Sequence, residues 1–292
     1  MNYLTRGTAL NDEVRIFCCD ITELVQEAQK RHDLWPTATA ALGRTLAVGT
    51  IMGSMLKSSQ EKIEIQINGK GPLGQIVVDC YDGGNVRGYV DNPHVYLEKS
   101  PDKLDVGQAV GTDGVIRVVK DLGMKQPFVS EVDLQTGELG DDFAYYYMVS
   151  EQTPSMVALG VLIDTDRSVK SAGALVIQLL PNTSEESIRI IENIAANIKP
   201  ISQLLVEYDS PEAIVDALFD DYKELGKANP QFTCECSREK FAQVLAHLPV
   251  SDLKTMVEED HGCEVVCRFC ADRYQFTEEE LNEYIRNQEA GK

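Results

Sequence analysis

Five of the eight cysteines in this 292-residue chain fall in its last fifth: Cys234, Cys236, Cys263, Cys267 and Cys270. The stretch that carries them, Phe232 to Lys292, holds few large apolar side chains. A unit of that size buries too little surface to stand on a hydrophobic core alone and commonly needs a metal or disulfides. Two pairs stand out. Cys267-Arg268-Phe269-Cys270 has the two-residue gap that lets both sulfurs of a tight turn face one ion, and Cys234-Glu235-Cys236 puts two more on one side of an extended segment. Four thiolates at ~2.3 Å in a tetrahedron form a closed structural zinc site. The two symmetric pairs are the preferred ligand set. Cys263, or a set containing His261, stays open as an alternative, with Gly262 and Cys263 read as a loop and His261 as a solvated loop residue.

Metal is preferred to structural disulfides because of the compartment. The segment Met1 to Phe17 has mixed charges and no apolar signal stretch, which argues against export and for the reducing cytoplasm. No run reaches the ~18 uncharged apolar residues of a membrane span. Lys and Arg number 27 against 47 Asp and Glu, a formal charge of −20, which disfavours polyanion partners. From Phe232 to Lys292 there are seven basic and thirteen acidic residues, so the cysteine-rich part repels a phosphate backbone and a zinc-ribbon nucleic-acid binder is disfavoured.

The remainder reads as an α+β protein: a mixed sheet-and-helix N-terminal core over 1–181, a helical linker over 182–231 and a small C-terminal zinc-binding domain over 232–292. Ile63, Ile65 and Ile67 alternate with polar residues, as do Ile76, Val78 and Cys80, which is the period of strands with one buried face. Asp82-Gly83-Gly84-Asn85 suits a tight turn before a hairpin partner. Further strands are expected at Val14 to Asp20, Val115 to Lys120, Met156 to Asp164 and Ala174 to Leu180. The Ala-, Gly- and Leu-rich run from Pro36 to Leu56 reads as a buried helix packed closely on a sheet. In the linker, Thr183 with Glu186 resembles a capping box, and Ile188, Ile191, Ala195 and Ile198 share a face. Ser210-Pro211 opens a second helix carrying Val215, Leu218, Tyr222 and Leu225, closed by Gly226. Four basic residues against ten acidic ones make this linker self-repelling. In the last part, Phe241, Val244, Leu245 and Leu248 mark a helix, Glu264 to Phe276 a hairpin around the cysteine turn, and Thr277 with Glu280 caps a final helix.

Other signals carry less chemistry. Gly69-x-Gly71-x-x-Gly74 matches a dinucleotide fingerprint, but a strand follows it where a helix would be required, so it reads as a turn. His32, His94 and His247 stand apart from any Ser-His-Asp pattern. Asp141-Asp142 and Asp164-Thr165-Asp166 read as caps and turns, and Tyr145-Tyr146-Tyr147 with Phe143 as packing. No catalytic residue is identified and no enzymatic activity is expected. A thiol–disulfide oxidoreductase would place its C-x-x-C at a helix N-terminus, whereas this pair lies between strand-like segments.

Cys234-Glu235-Cys236-Ser237-Arg238-Glu239 followed by Cys267-Arg268-Phe269-Cys270-Ala271-Asp272-Arg273-Tyr274-Gln275-Phe276 resembles the zinc module of the heat shock protein 33 family, the bacterial redox-regulated holdase chaperones. Asn68-Gly69-Lys70-Gly71-Pro72-Leu73 and Ser171 to Pro181 extend the resemblance over nearly the whole chain. It implies a reduced, zinc-bound, inactive form in which Cys234, Cys236, Cys267 and Cys270 hold one Zn2+. It further implies that oxidation forms disulfides Cys234-Cys236 and Cys267-Cys270 and releases the metal. The linker then unfolds, and the protein dimerises and binds unfolding clients without ATP. Exposure of Ile188, Ile191, Ile194, Val215 and Leu218 is the expected client-binding change. Cys18, Cys19, Cys80 and Cys263 lie outside the family motif.

Overall fold

Alternating residues become antiparallel sheet in the computed structural model, which describes residues 2–101 and 103–290. Met1 and Lys292, the ends of the expected domains, lie outside the described residues. Two compact units divide the chain, Met1–Thr233 and Cys234–Lys292.

The first unit begins with a hairpin, β1 (Tyr3–Ala9) and β2 (Val14–Asp20), then α1 (Thr22–His32) and α2 (Pro36–Gly53). There follow β3 (Lys62–Asn68), β4 (Ile76–Tyr81), β5 (Val86–Val90), the short ribbon β6 (Glu98–Ser100) and β7 (Lys103–Leu104), and α3 (Val106–Val110). The series continues with β8 (Val115–Asp121), β9 (Phe128–Asp133), α4 (Gly140–Val149), β10 (Ser155–Ile163) and β11 (Val169–Leu179). The linker region supplies α5 (Glu185–Asn197), α6 (Ile201–Glu207), α7 (Pro211–Leu218) and β12 (Lys223–Ala228). Two five-stranded sheets result, ordered β10-β11-β2-β1-β12 and β5-β4-β3-β8-β9.

Helix α2 runs between these sheets and is buried almost all round, with Pro36 and Arg44 its only partly exposed residues. Its composition explains this position. A helix with charges on one face would seek solvent, whereas Thr, Ala, Gly and Leu on every face can be covered from both sides. Small residues set the spacing: a Cβ at Gly49 would lie 2.9 Å from the Cys80 sulfur of β4. Gly69, Gly71 and Gly74 form the turn between β3 and β4, where the Gly71 N–H donates to the Val110 carbonyl at 2.9 Å. No helix starts there. Asp142 accepts from the Gln135, Thr136 and Leu139 N–H groups and so caps α4, and Phe143, Tyr146 and Tyr147 are packed into the core.

The opposite face of the first sheet carries a second core. Val14, Ile16, Cys18, Leu175 and Ile177 are covered by Ile191, Ile201, Leu204, Ile214, Val215 and Phe219 from α5, α6, α7 and the residue that ends α7. Two sequence expectations need correction here. The cap of α5 is Ser184, which accepts from the Ser187 N–H at 3.2 Å, while Thr183 donates back to the Glu13 carbonyl. Helix α7 ends at Leu218, and the run expected to extend it turns into β12, paired with β1 from Leu4–Ala228 to Thr8–Lys223. Open ladder groups on β1 outweigh helix propensity at this point. Asp221 fixes the change of direction by accepting from the Leu10 and Asn11 N–H groups at 2.9 and 2.8 Å, and Leu225, assigned to a helical face, stands exposed.

The second unit contains α8 (Arg238–Leu245), α9 (Val250–Asp260), β13 (Gly262–Val266), β14 (Arg273–Thr277) and α10 (Glu278–Ala290). Its core has five buried members: Leu245, Leu253, Phe276, Leu281 and Ile285. The capping box holds, with Thr277 N–H donating to Glu280 Oε2 at 2.9 Å and Glu280 N–H to Thr277 Oγ1 at 3.3 Å. Val244, placed on the buried face of α8 by its spacing, is 61% exposed.

Candidate metal centre

The β13–β14 hairpin is closed by a turn in which the Ala271 N–H donates to the Cys267 carbonyl at 2.8 Å and the Cys267 N–H to the Asp272 carbonyl at 2.9 Å. Ala271 takes the left-handed φ of 60° that the turn requires. Both sulfurs of the turn are buried. Backbone N–H groups of Cys270 and Phe269 point at the Cys267 sulfur, and that of Asp272 at the Cys270 sulfur. These donors suit sulfur carrying negative charge. Cys234 and Cys236 arrive on the extended strand-like stretch before α8, half-buried, and Ser237 ends that stretch by capping α8 at the Lys240 N–H.

The four sulfurs lie within 4.8 Å of one another, with Cys234 to Cys267 at 3.7 Å and Cys236 to Cys270 at 3.2 Å. A tetrahedron with bonds of ~2.3 Å has edges of about 3.8 Å, so the donor set fits one tetrahedral thiophilic ion. Burial raises the thiol pKa of Cys267 and Cys270, since without a cation a compact sulfur cluster resists ionisation. A divalent ion reverses that balance.

The alternatives separate from this group. Cys263 lies on β13 opposite Phe276 and packs against the second unit's core, so the loop assignment is wrong. Burial and the nearby Asp260 and Glu280 charges raise its pKa. His261 ends α9 in a left-handed conformation and faces Glu278 at 3.3 Å. Cys18, Cys19 and Cys80 are buried in the first unit; burial pushes Cys19 up to about 12 and the other two well above the usual range. They are unionised thiols, hence poor nucleophiles.

Two residues around the site, read only as part of the motif, were given no role by sequence reasoning. The Tyr274 hydroxyl is 3.3 Å from the Cys236 sulfur, and its ring packs on Phe241. Arg238 clamps the hairpin to α10, donating to the Gln275 carbonyl at 2.9 Å and to both Glu280 oxygens, with its guanidinium over Phe276. The alternation of Tyr274 and Phe276 within β14 was the available signal.

A family model described as Hsp33 protein matches residues 2–277. Curated proteins named 33 kDa chaperonin are similar: one from Bacillus cereus is 46% identical over 289 residues, covering 98% of this chain and 99% of its own, and one from Staphylococcus epidermidis is 44% identical over 287, covering 97% and 98%. The solved structure of the 33 kDa chaperonin (heat shock protein 33 homolog) from Thermotoga maritima superposes with a TM-score of 0.92 at 37% identity, over 99% of each chain.

Proposed function

This chain belongs to the Hsp33 chaperone family, and on that premise we propose that it is an ATP-independent holdase of the reducing cytoplasm, switched on by oxidation of its four-cysteine centre. The observation that carries this reading is the convergence of Cys234, Cys236, Cys267 and Cys270 within 4.8 Å in a unit with five buried core residues. These four would hold one Zn2+, which when bound supplies a tetrahedral cross-link and keeps the sulfurs as thiolates. Functionally the chain then has three parts, 1–181, 182–231 and 232–292.

Two equivalents of a two-electron oxidant such as a peroxide take four electrons from the four thiolates. Two S–S bonds form, Cys234-Cys236 and Cys267-Cys270, and the oxidant's oxygen leaves as water after taking up protons. Disulfides cannot replace the lost donors, and a structural zinc site contributes an apparent ~10–16 kcal/mol, comparable to the whole stability of a domain. The second unit loses its order. The linker helices then leave the first sheet, baring Ile191 and Val215 together with the Val14, Ile16, Leu175 and Ile177 surface beneath them. That double exposure, with Ile188, Ile194 and Leu218 at its margin, would receive unfolded clients, and dimerisation of the activated form would enlarge it.

The test measures zinc content and suppression of client aggregation together, in reduced and peroxide-treated protein. Suppression confined to the zinc-depleted, oxidised form is expected; equal suppression in both removes the switch.

A further inference from the structure

Tyr147 on α4 is 3% exposed, and its hydroxyl has no hydrogen-bond partner among the described residues. A phenol buried this deeply normally finds one, because leaving it unpaired forfeits its bonds to water. The hydroxyl lies near enough to the Arg15 guanidinium and the Glu151 carboxylate to feel both charges. All three residues line one cavity of 190 Å³ in the first unit, where the two sheets meet at the C-terminal end of α2.

The polar end of this cavity has one sign to spare. Glu151 Oε1 accepts from Lys120 Nζ at 2.5 Å and from the Tyr146 hydroxyl at 2.6 Å, and the Lys120 charge offsets that of Glu151. Gln178 Oε1 accepts from Arg15 Nε and Nη2 at 3.1 and 2.7 Å. Arg15 Nη1 and the Tyr147 hydroxyl remain as donors, and with Glu151 offset by Lys120 the Arg15 charge is the uncompensated one among the side chains lining the cavity. The other wall is Met52, Met55, Leu56, Ile63 and Leu122. Water needs two to four polar partners and finds none along that wall.

We propose that this cavity binds a small carboxylate with a short apolar chain, its oxygens accepting from Arg15 and Tyr147 and its chain lying on Met52, Met55 and Leu122. A volume of 190 Å³ is roughly six waters at about 30 Å³ each, which suits a chain of about four to six carbons. Because Arg15 and Gln178 belong to one sheet and Ile63 and Lys120 to the other, a bound ligand joins the two and stabilises the folded first unit by mass action. The site is independent of the cysteine centre and of the redox reading.

The experiment follows thermal unfolding of the reduced, full-length, zinc-loaded protein with sodium hexanoate and butyrate as probes, and with 1-hexanol and sodium sulfate as controls. Hexanoate should raise the melting temperature by a few degrees and butyrate by less, while the alcohol and sulfate leave it unchanged. In Tyr147→Phe the unliganded melting temperature should hold or rise, since an unpaired hydroxyl is removed, and hexanoate affinity should fall about tenfold. Leu122→Glu, at the exposed rim, should abolish the shift by setting a negative charge against the carboxylate. Equal shifts with hexanol or sulfate, or no shift with either carboxylate, would overturn the proposal. So would a Tyr147→Phe protein that keeps full hexanoate affinity.

Discussion

The two units maintain order by different means. The first wraps two sheets around a helix covered on nearly every face and adds a second core beneath the linker helices. The second has five buried apolar residues and a knot of four sulfurs. Apolar burial has no redox chemistry of its own, and the first unit's thiols Cys18, Cys19 and Cys80 are kept unionised by that burial. A metal held by the four sulfurs would instead tie the order of the second unit to their redox state. The contrast teaches that two units of one chain can answer to different conditions when their order comes from different interactions, as the proposed redox switch requires.

The contrast breaks most readily at a ligand. Cys267→Ser should cost the second unit most of the ~10–16 kcal/mol that metal supplies. Amides of α8 to α10 should lose protection from hydrogen exchange while those of α2 keep theirs; protected α10 amides would refute the division. Leu46→Ala, on the fully buried helix, should remove about 2–5 kcal/mol from the first unit by cavity formation. Zinc content, measured by a chelating dye, should stay at one per chain. Arg238→Ala removes the clamp on β14 and Glu280, and zinc affinity should fall about tenfold or more in competition with a chelator.

The smallest effect concerns acid. Hydrogen bonds from Ser187 and Ser184 hold the Glu13 carboxyl below its usual range, and Ser184 is the cap of α5. A depressed carboxyl contributes stability above its unfolded pKa of ~4.3 and loses it as pH falls through the lower folded value. Exchange of α5 amides should therefore quicken below about pH 4 in the wild type, with Glu13→Gln showing a flatter profile.

The cysteine pairs were legible because ligand spacing is local, and α2 and strands β2, β3, β4, β8, β10 and β11 because their periodicity is local too. The strand β12 was not. Lys223 to Ala228 has no alternating apolar face, and only the open edge of β1, more than 200 residues earlier, makes it a strand. Helix α9 and strand β1 escaped for similar reasons, their few apolar residues being spread among polar ones. Tyr274 was read within the motif yet not as a neighbour of Cys236, since a contact across 38 residues leaves no spacing signature.

The pairing of β12 with β1 has a geometric consequence. The linker helices hang between β11 and β12, strands of one sheet separated only by β2 and β1. At about 4.8 Å per strand, the anchors stand roughly 14 Å apart. While both hold, lifting α5 to α7 opens a tethered flap rather than releasing a free tail. Return to the sheet is then a unimolecular search at high effective concentration, so in the proposed switch the surface would be presented and withdrawn repeatedly without the chain losing its place.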